Sequence, residues 1–264
     1  MDLEAYLQRI GYHGTREPTV DTLVQLHRAH MYSVPFENLD IPLGQPIVLS
    51  LPALFEKVVR RRRGGFCYEL NALFGWCLQQ LGFQVETLSA RVFNGGVLGP
   101  ELDHMLLLVS GSETSIADVG FGDSFLEPLS LGRGELAQHG RSYRLVEQGG
   151  DWELHQQIPG ADWQPQYVFS LLPRKLEDFD SMCRYQQTSP ASGFTRKSVC
   201  SLATRSGRVT LSNGRLIVTR EGHRRERAIA GVAEYLALLW EHFGIDLGHE
   251  PDPERLMQGR LSQP

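Results

Sequence analysis

Cysteine is scarce in this sequence. Four thiols, Cys67, Cys77, Cys183 and Cys200, are spread over 264 residues, and no two stand at the C-x-x-C spacing of a zinc or redox site. A disulfide scaffold and a zinc ribbon are thereby excluded, no metal is implied, and all four are expected as free thiols. Positive charge is also in short supply. Lys and Arg number 26 against 31 Asp and Glu, a net charge of -5, whereas a nucleic-acid partner requires a basic face. No apolar run approaches the roughly 20 residues that span a bilayer. The opening Met1-Asp2-Leu3-Glu4 is acidic, unlike the cationic start of a secretion signal, so the cytoplasm is the expected compartment. Internal repeats and low-complexity tracts are absent as well. What is present is ordinary globular material. Hydrophobic residues make up 41% and charged residues 22%, enough for a core in one large domain or a few small ones.

The pattern along the chain changes once. Up to about residue 83 it is helical. Leu3, Tyr6, Leu7 and Ile10 recur at helical spacing before Gly11, and Val20, Leu23, Val24 and His27 mark a second helix. Ser50 is placed to cap a third, with Leu54, Phe55, Val58 and Val59 on its inner face. A fourth is predicted from Cys67 to Leu81, with Gly82 as its stop. From residue 84 onwards short Val/Leu/Ile runs alternate with turn residues. Strands are predicted over 84–93, 105–109, 115–119, 143–146, 152–155 and 167–171, and Asn213-Gly214 reads as a hairpin turn between 208–211 and 216–218. A last helix carries Val232 to Phe243. Helices first and strands afterwards give a segregated α+β layout, not a βαβ alternation.

Arg63-Gly64-Gly65-Phe66-Cys67-Tyr68-Glu69-Leu70-Asn71 is the most informative stretch. Two glycines allow close backbone approach, and Cys67 falls at a helix start, where unpaired N–H groups and the helix dipole favour a thiolate. Cys77 lies on the apolar stripe of the same helix and reads as core. Arg60 to Arg62 read as a solvated face, whereas Arg63 adjoins the glycines and is a candidate partner for a buried carboxylate.

A thiolate nucleophile needs a base, and the base an orienting group. His104 precedes the apolar Met105-Leu106-Leu107-Leu108-Val109, and Asp118 sits in Ile116-Ala117-Asp118-Val119-Gly120, where an unpaired carboxylate would be costly. Neighbouring antiparallel strands would set the two side by side and leave the other imidazole nitrogen for Cys67. The residues alone give a Cys-His-Asp enzyme of acyl transfer or hydrolysis, and no substrate.

Several separated segments resemble the arylamine N-acetyltransferase family. They are Tyr6 to Tyr12, Val34-Pro35-Phe36-Glu37-Asn38-Leu39-Asp40, Arg63 to Asn71, His104-Met105-Leu106-Leu107 and Asp118-Val119-Gly120-Phe121-Gly122. The resemblance covers residues 1 to about 220 and is weaker over the last 45. It implies a helical domain over 1–83 holding Cys67, a β-barrel domain over 84–188 holding His104 and Asp118, and an α/β lid over 189–264. It implies acetyl transfer from acetyl-CoA, a co-substrate and not a tightly bound cofactor, to arylamines or arylhydrazines. It further implies a buried Glu37–Arg63 pair bracing the site, an acceptor pocket lined by Tyr68, Phe121 and Phe125, and a coenzyme loop containing Gly95, Gly96, Val97 and Gly99. Residues 204–213 are a second region implied to meet the coenzyme. The loop Asn94 to Pro100 lacks the Gly-Lys-Ser/Thr ending of a Walker motif, and without the resemblance it reads as a long hairpin loop. Three rivals share the triad chemistry or the fold: a thiol hydrolase of transglutaminase type, a macrocycle-forming amide synthase, and a non-catalytic binding protein.

Overall fold

The computed structural model describes residues 1–132, 134–138, 140–248 and 252–257. The helical stripes of the first segment assemble around one central helix. Helix α1, Leu3–Arg9, is capped by the Asp2 carboxylate, and α2, Val20–Ser33, by the Thr19 hydroxyl. Both lie in one core with α5, Cys67–Gln80, through Tyr6, Leu7, Leu26, Leu70, Leu73, Phe74 and Leu78. Burying each such side chain contributes about 1.5–3 kcal/mol. Three shorter elements lie between: strand β1, Phe36–Glu37, helix α3, Asp40–Leu43, and helix α4, Leu51–Phe55. The third predicted helix is therefore shorter in α form than its stripe suggests. It widens after Phe55 into a π-helical turn, Glu56–Arg60, in which Lys57, Val58 and Val59 are all buried.

The second segment is a curled antiparallel sheet. Its strands are β2, Gln84–Asn94; β3, Val97–Leu98; β4, His104–Ser110; β5, Ser115–Ala117; and β6, Leu129–Ser130. They continue with β7, Leu136–Gln138; β8, Arg141–Gln148; β9, Asp151–Gln157; and β10, Gln164–Phe169. The order is β6-β5-β4-β2-β10-β9-β8-β7, with β3 on β2. The sheet curls until β6 approaches β8, forming a nearly closed barrel. Leu88, Leu106, Phe125, Leu154, Tyr167 and Phe169 belong to its apolar core.

After a 3₁₀ turn, Leu176–Phe179, and helices α6, Asp180–Thr188, and α7, Gly193–Arg196, the chain builds a second sheet. It runs β1-β11-β12-β13-β14, with β11 at Val199–Thr204, β12 at Gly207–Ser212, β13 at Arg215–Arg220 and β14 at His223–Ala228. Asn213 and Gly214 both have positive φ, 46° and 71°, as the two-residue hairpin turn requires. Helix α8, Val232–Phe243, buries Tyr235, Leu238, Leu239 and Phe243 in the core that holds Val209, Leu211 and Leu216.

One feature departs from the helices-then-strands reading. The second sheet begins inside the helical segment: Phe36 pairs with Ser201 and Glu37 with Cys200, while Phe36 also bridges Gly65 in parallel on its other side. No helix among the described residues is long and apolar enough to cross a membrane.

Candidate active site

Cys67 is the first residue of α5, and the loop before it is held from several directions. An added Cβ on Gly64 would meet the Pro35 carbonyl oxygen at 1.9 Å, so only glycine fits there. Arg9, itself buried, donates to the carbonyls of Val58, Ser33 and Arg63 and pins the entry to the loop. Phe66 N–H donates to Glu69 Oε2 at 3.1 Å, closing the helix start with the carboxylate three residues on.

The run of four arginines divides as its setting requires: Arg60, Arg61 and Arg62 are exposed and Arg63 is buried. The Arg63 guanidinium contacts Glu37 at 2.9 Å and Asp40 at 2.7 Å. Lys57 Nζ lies 2.7 Å from both Asp40 and Glu69. Glu37 also accepts from Leu39 N–H, and the Asn38 side chain ties this segment to 194–199 through Phe194, Lys197 and Val199. The Val34-to-Asp40 segment is thus a clamp between the loop before Cys67 and the second sheet.

His104 opens β4, and Asp118 lies one residue past β5. The register pairs Leu107 with Ala117, so the ladder stops just before Asp118, whose carboxylate is free to reach His104 on the same face of the sheet. His104 Nε2 and Asp118 Oδ2 are 2.8 Å apart. The Cys67 thiol at the start of α5 also interacts with this imidazole. Burial opposes a charged imidazole. The Asp118 charge and hydrogen bond, with the Cys67 contact, outweigh it and raise the His104 pKa to about 10. For Asp118, burial pushes upward, but His104 and hydrogen bonds from Asn71 and Gly120 hold the carboxyl below its ordinary value. The three side chains are nearly inaccessible, at 4%, 3% and 0% exposure, so their mutual interactions are weakly screened by water.

Three further residues fix this arrangement. Asn71, one turn along α5 from Cys67, donates to Asp118 Oδ1 at 2.9 Å and to Met105 O, and accepts from Val119 N–H. Tyr167 O–H donates to Asp118 Oδ2 at 3.2 Å. His27 accepts from Asp118 N–H at Nε2 and therefore donates from Nδ1 to Leu126 O, which fixes its neutral tautomer. Burial holds its pKa down at about 4. In the sequence His27 lies on the apolar stripe of α2, Asn71 follows the Cys67 motif with no visible role, and Tyr167 is a strand residue. A polar residue on an apolar helix stripe was the available signal.

The implied pocket aromatics occupy different positions. Phe121 is half-buried and meets the His104 ring edge-on at 5.1 Å. Tyr68 is fully buried and donates to the carbonyls of Leu102 and Asp103. Phe125 is fully buried and stacks on His27 at 5.7 Å. Gly95 and Gly96 form the positive-φ turn of the β2–β3 hairpin, Val97 is exposed at its tip, and Gly99 N–H bonds back to Val92 O. The Gly-rich stretch is thus a two-residue hairpin, tighter than the long loop expected of it.

Solved structures share this fold. The Mycobacterium marinum arylamine N-acetyltransferase in complex with CoA superposes with a TM-score of 0.90 at 32% identity, covering 97% of this chain and 98% of that one. The Salmonella typhimurium enzyme gives 0.87 at 34% identity, with 96% of each chain covered. The fold is that of an acyltransferase. The N-acetyltransferase family model matches residues 19–251. The Mycolicibacterium smegmatis arylamine N-acetyltransferase is 40% identical over 257 residues, 94% of this chain and 93% of its own. Human arylamine N-acetyltransferase 1 is 39% identical over 230 residues, 78% of this chain and 79% of its own. The chain belongs to the arylamine N-acetyltransferase family.

Proposed function

We propose that the protein transfers the acetyl group of acetyl-CoA to the nitrogen of arylamines and arylhydrazines through an acetyl-cysteine on Cys67. The observation that carries this reading is the His104 imidazole, 2.8 Å from Asp118 Oδ2 and interacting with the Cys67 thiol. In the first half-reaction the Cys67 thiolate attacks the thioester carbonyl, the carbon–sulfur bond to coenzyme A breaks, and His104 supplies the proton to the leaving thiolate. In the second, the amine attacks acetyl-Cys67, gives up a proton to His104 and releases the cysteine thiolate. Asp118 stabilises the imidazolium in both. The first N–H groups of α5 face the developing oxyanion. Phe121, against His104, forms the aromatic wall of the acceptor site, with Tyr68 and Phe125 behind it, and the Gly95, Gly96, Val97 and Gly99 hairpin meets the coenzyme. Glu37 and Arg63 brace the nucleophile loop. The described residues include no cluster suited to holding a metal.

The test is the intact mass of the protein after incubation with acetyl-CoA alone. One acetyl group mapped to Cys67 and discharged by an added arylamine is the expected result, with Cys67→Ala unlabelled and Cys77→Ala labelled normally. A folded protein that takes no acetyl on any cysteine overturns the proposal. Cys77, buried in the core with its thiol pushed up to about 12, is the internal control.

A further inference from the structure

The strand pair β5–β6 parts just before Asp118. Its register sets Ser115 opposite Ser130 and Ile116 opposite Leu129. Continued, it would set Ala117 opposite Pro128, which has no N–H to give a ladder, and Asp118 opposite Glu127. A ring from another element stands between the two chains instead. His27 of α2 accepts the Asp118 N–H at Nε2, 3.2 Å away, and donates from Nδ1 to the Leu126 carbonyl at 2.9 Å. The imidazole thus takes a donor from one chain and an acceptor from the other, groups that a longer ladder would use. A neutral imidazole can do both; an imidazolium has no lone pair for the Asp118 N–H.

The ring and the chain beyond it are both held. His27 is fully buried, stacks on Phe125 at 5.7 Å and meets Phe74 edge-on at 5.8 Å. The titratable groups acting on it are Asp118, Glu127 and His30. Glu127 is paired with Arg28, the next residue of α2, and burial holds His30 neutral. From the other side Gln138 of β7 accepts from the N–H groups of Leu126 and Glu127 and donates to Glu127 O. The 126–127 chain is therefore a fixed wall, and the segment that the ring sets in place is the one carrying Asp118. There the carboxylate accepts from Asn71 at Oδ1 and meets His104 at Oδ2.

We propose that His27 is a positioning residue, a neutral wedge that keeps Asp118 out of the β5–β6 ladder and so aims its carboxylate at His104. Its bearing on acetyl transfer rests on the triad reading above; the positioning itself does not.

The test is the NMR titration of His104 in protein labelled at histidine, with acetyl transfer measured in parallel. In the wild type His27 is expected as the Nδ1–H tautomer at neutral pH. His27→Leu offers neither donor nor acceptor. It is expected to weaken the hold of His104 on its proton about tenfold, the order of one misaligned hydrogen bond between charged groups, and to slow acetyl transfer by a similar factor. His27→Gln keeps an amide donor and acceptor and should restore much of both. A wedge serving stability alone would lower the unfolding midpoint of His27→Leu and leave the His104 titration in place, and that result overturns the proposal. If His27→Leu does not fold, a wild-type His27 that carries its proton on Nε2 overturns it instead. Wild-type protein that takes no acetyl group, while the His104 titration still moves in His27→Leu, removes the proposed function and not the positioning.

Discussion

Burial alone would strip His104 of its proton, and it would do the same to His27; only His104 of the two has a carboxylate hydrogen-bonded to its ring. His104 is raised to about 10 beside Asp118, whereas His27, which meets a backbone N–H and a carbonyl, is held at about 4. This contrast has a pH consequence with a definite sign. From 6.5 down to about 4 the unfolded chain takes up a proton at His27 that the folded chain refuses, so His27 removes stability as pH falls through that window. The full loss is about 3 kcal/mol, from 2.5 pKa units at roughly 1.36 kcal/mol each. Glu69, pushed up to about 7, takes up its proton in the folded state over an overlapping range and offsets the loss. The clean measurement is therefore a difference. His27→Gln retains a donor and an acceptor, and its urea midpoint relative to wild type should improve steadily between pH 6.5 and 4. A constant difference across that range would show that His27 is not buried neutral.

At the scale of elements, the site depends on how closely a helix start approaches a strand end. An added Cβ on Gly120 would lie 2.6 Å from Cys67 Cα and 2.7 Å from Asn71 Nδ2. Its φ is not in the left-handed region, so Gly120→Ala tests spacing and not backbone strain. The expected result is a folded protein whose turnover falls about 100-fold, the cost of displacing reacting groups by about an ångström; near-normal turnover would mean that α5 and the 118–120 segment are not rigidly apposed. The sequence made much of this layer legible. The helical stripes located α1, α2, α5 and α8, Asn213-Gly214 located its hairpin, and the two glycines before Cys67 marked a close approach. What escaped has no local signature. Strand β1 is two residues long and exists through pairing with β11. Strand β14, His-Arg-Arg-Glu-Arg-Ala, is exposed along its whole length and carries no apolar alternation, so only its ladder with β13 makes it a strand. Helix α6 is polar, with only Cys183 and Gln186 buried. The predicted strand over 115–119 ends at Ala117 because Asp118 bonds to side chains instead of the ladder. Within the candidate site, the approach of His104 to Asp118 is legible from their two apolar strands; the contacts of Asn71, His27 and Tyr167 are not, because they run across three separate elements.

At the scale of the molecule, one carboxylate bridges the two sheets. Asp123 contacts Arg141 of β8 and Arg208 of β12, each at 2.9 Å. The Arg208 side chain is 13% exposed, and burial lowers its pKa against the pull of Asp123. Asp123→Ala should leave that guanidinium without its anion. Because Asp123 itself is half-exposed, the expected loss is modest, about 1–2 kcal/mol, but it should be localised: amide exchange in β12 and β13 should accelerate while α5 stays protected. Uniform acceleration, or none, would show that the carboxylate is not the tie between barrel and second sheet.

The two-residue strand β1 has a consequence for the order in which the enzyme comes into being. Phe36 is flanked by Gly65 on one side and Ser201 on the other, and Asn38 accepts from Val199 N–H, 161 positions downstream. A ribosome therefore delivers the thiol early and the backbone that steadies its loop late. His104 and Asp118 emerge in between, and the ladder over β1 closes only when some three quarters of the chain has been made. Until then the loop before Cys67 lacks its frame on the second sheet, so on the proposed mechanism acyl chemistry awaits the synthesis of β11.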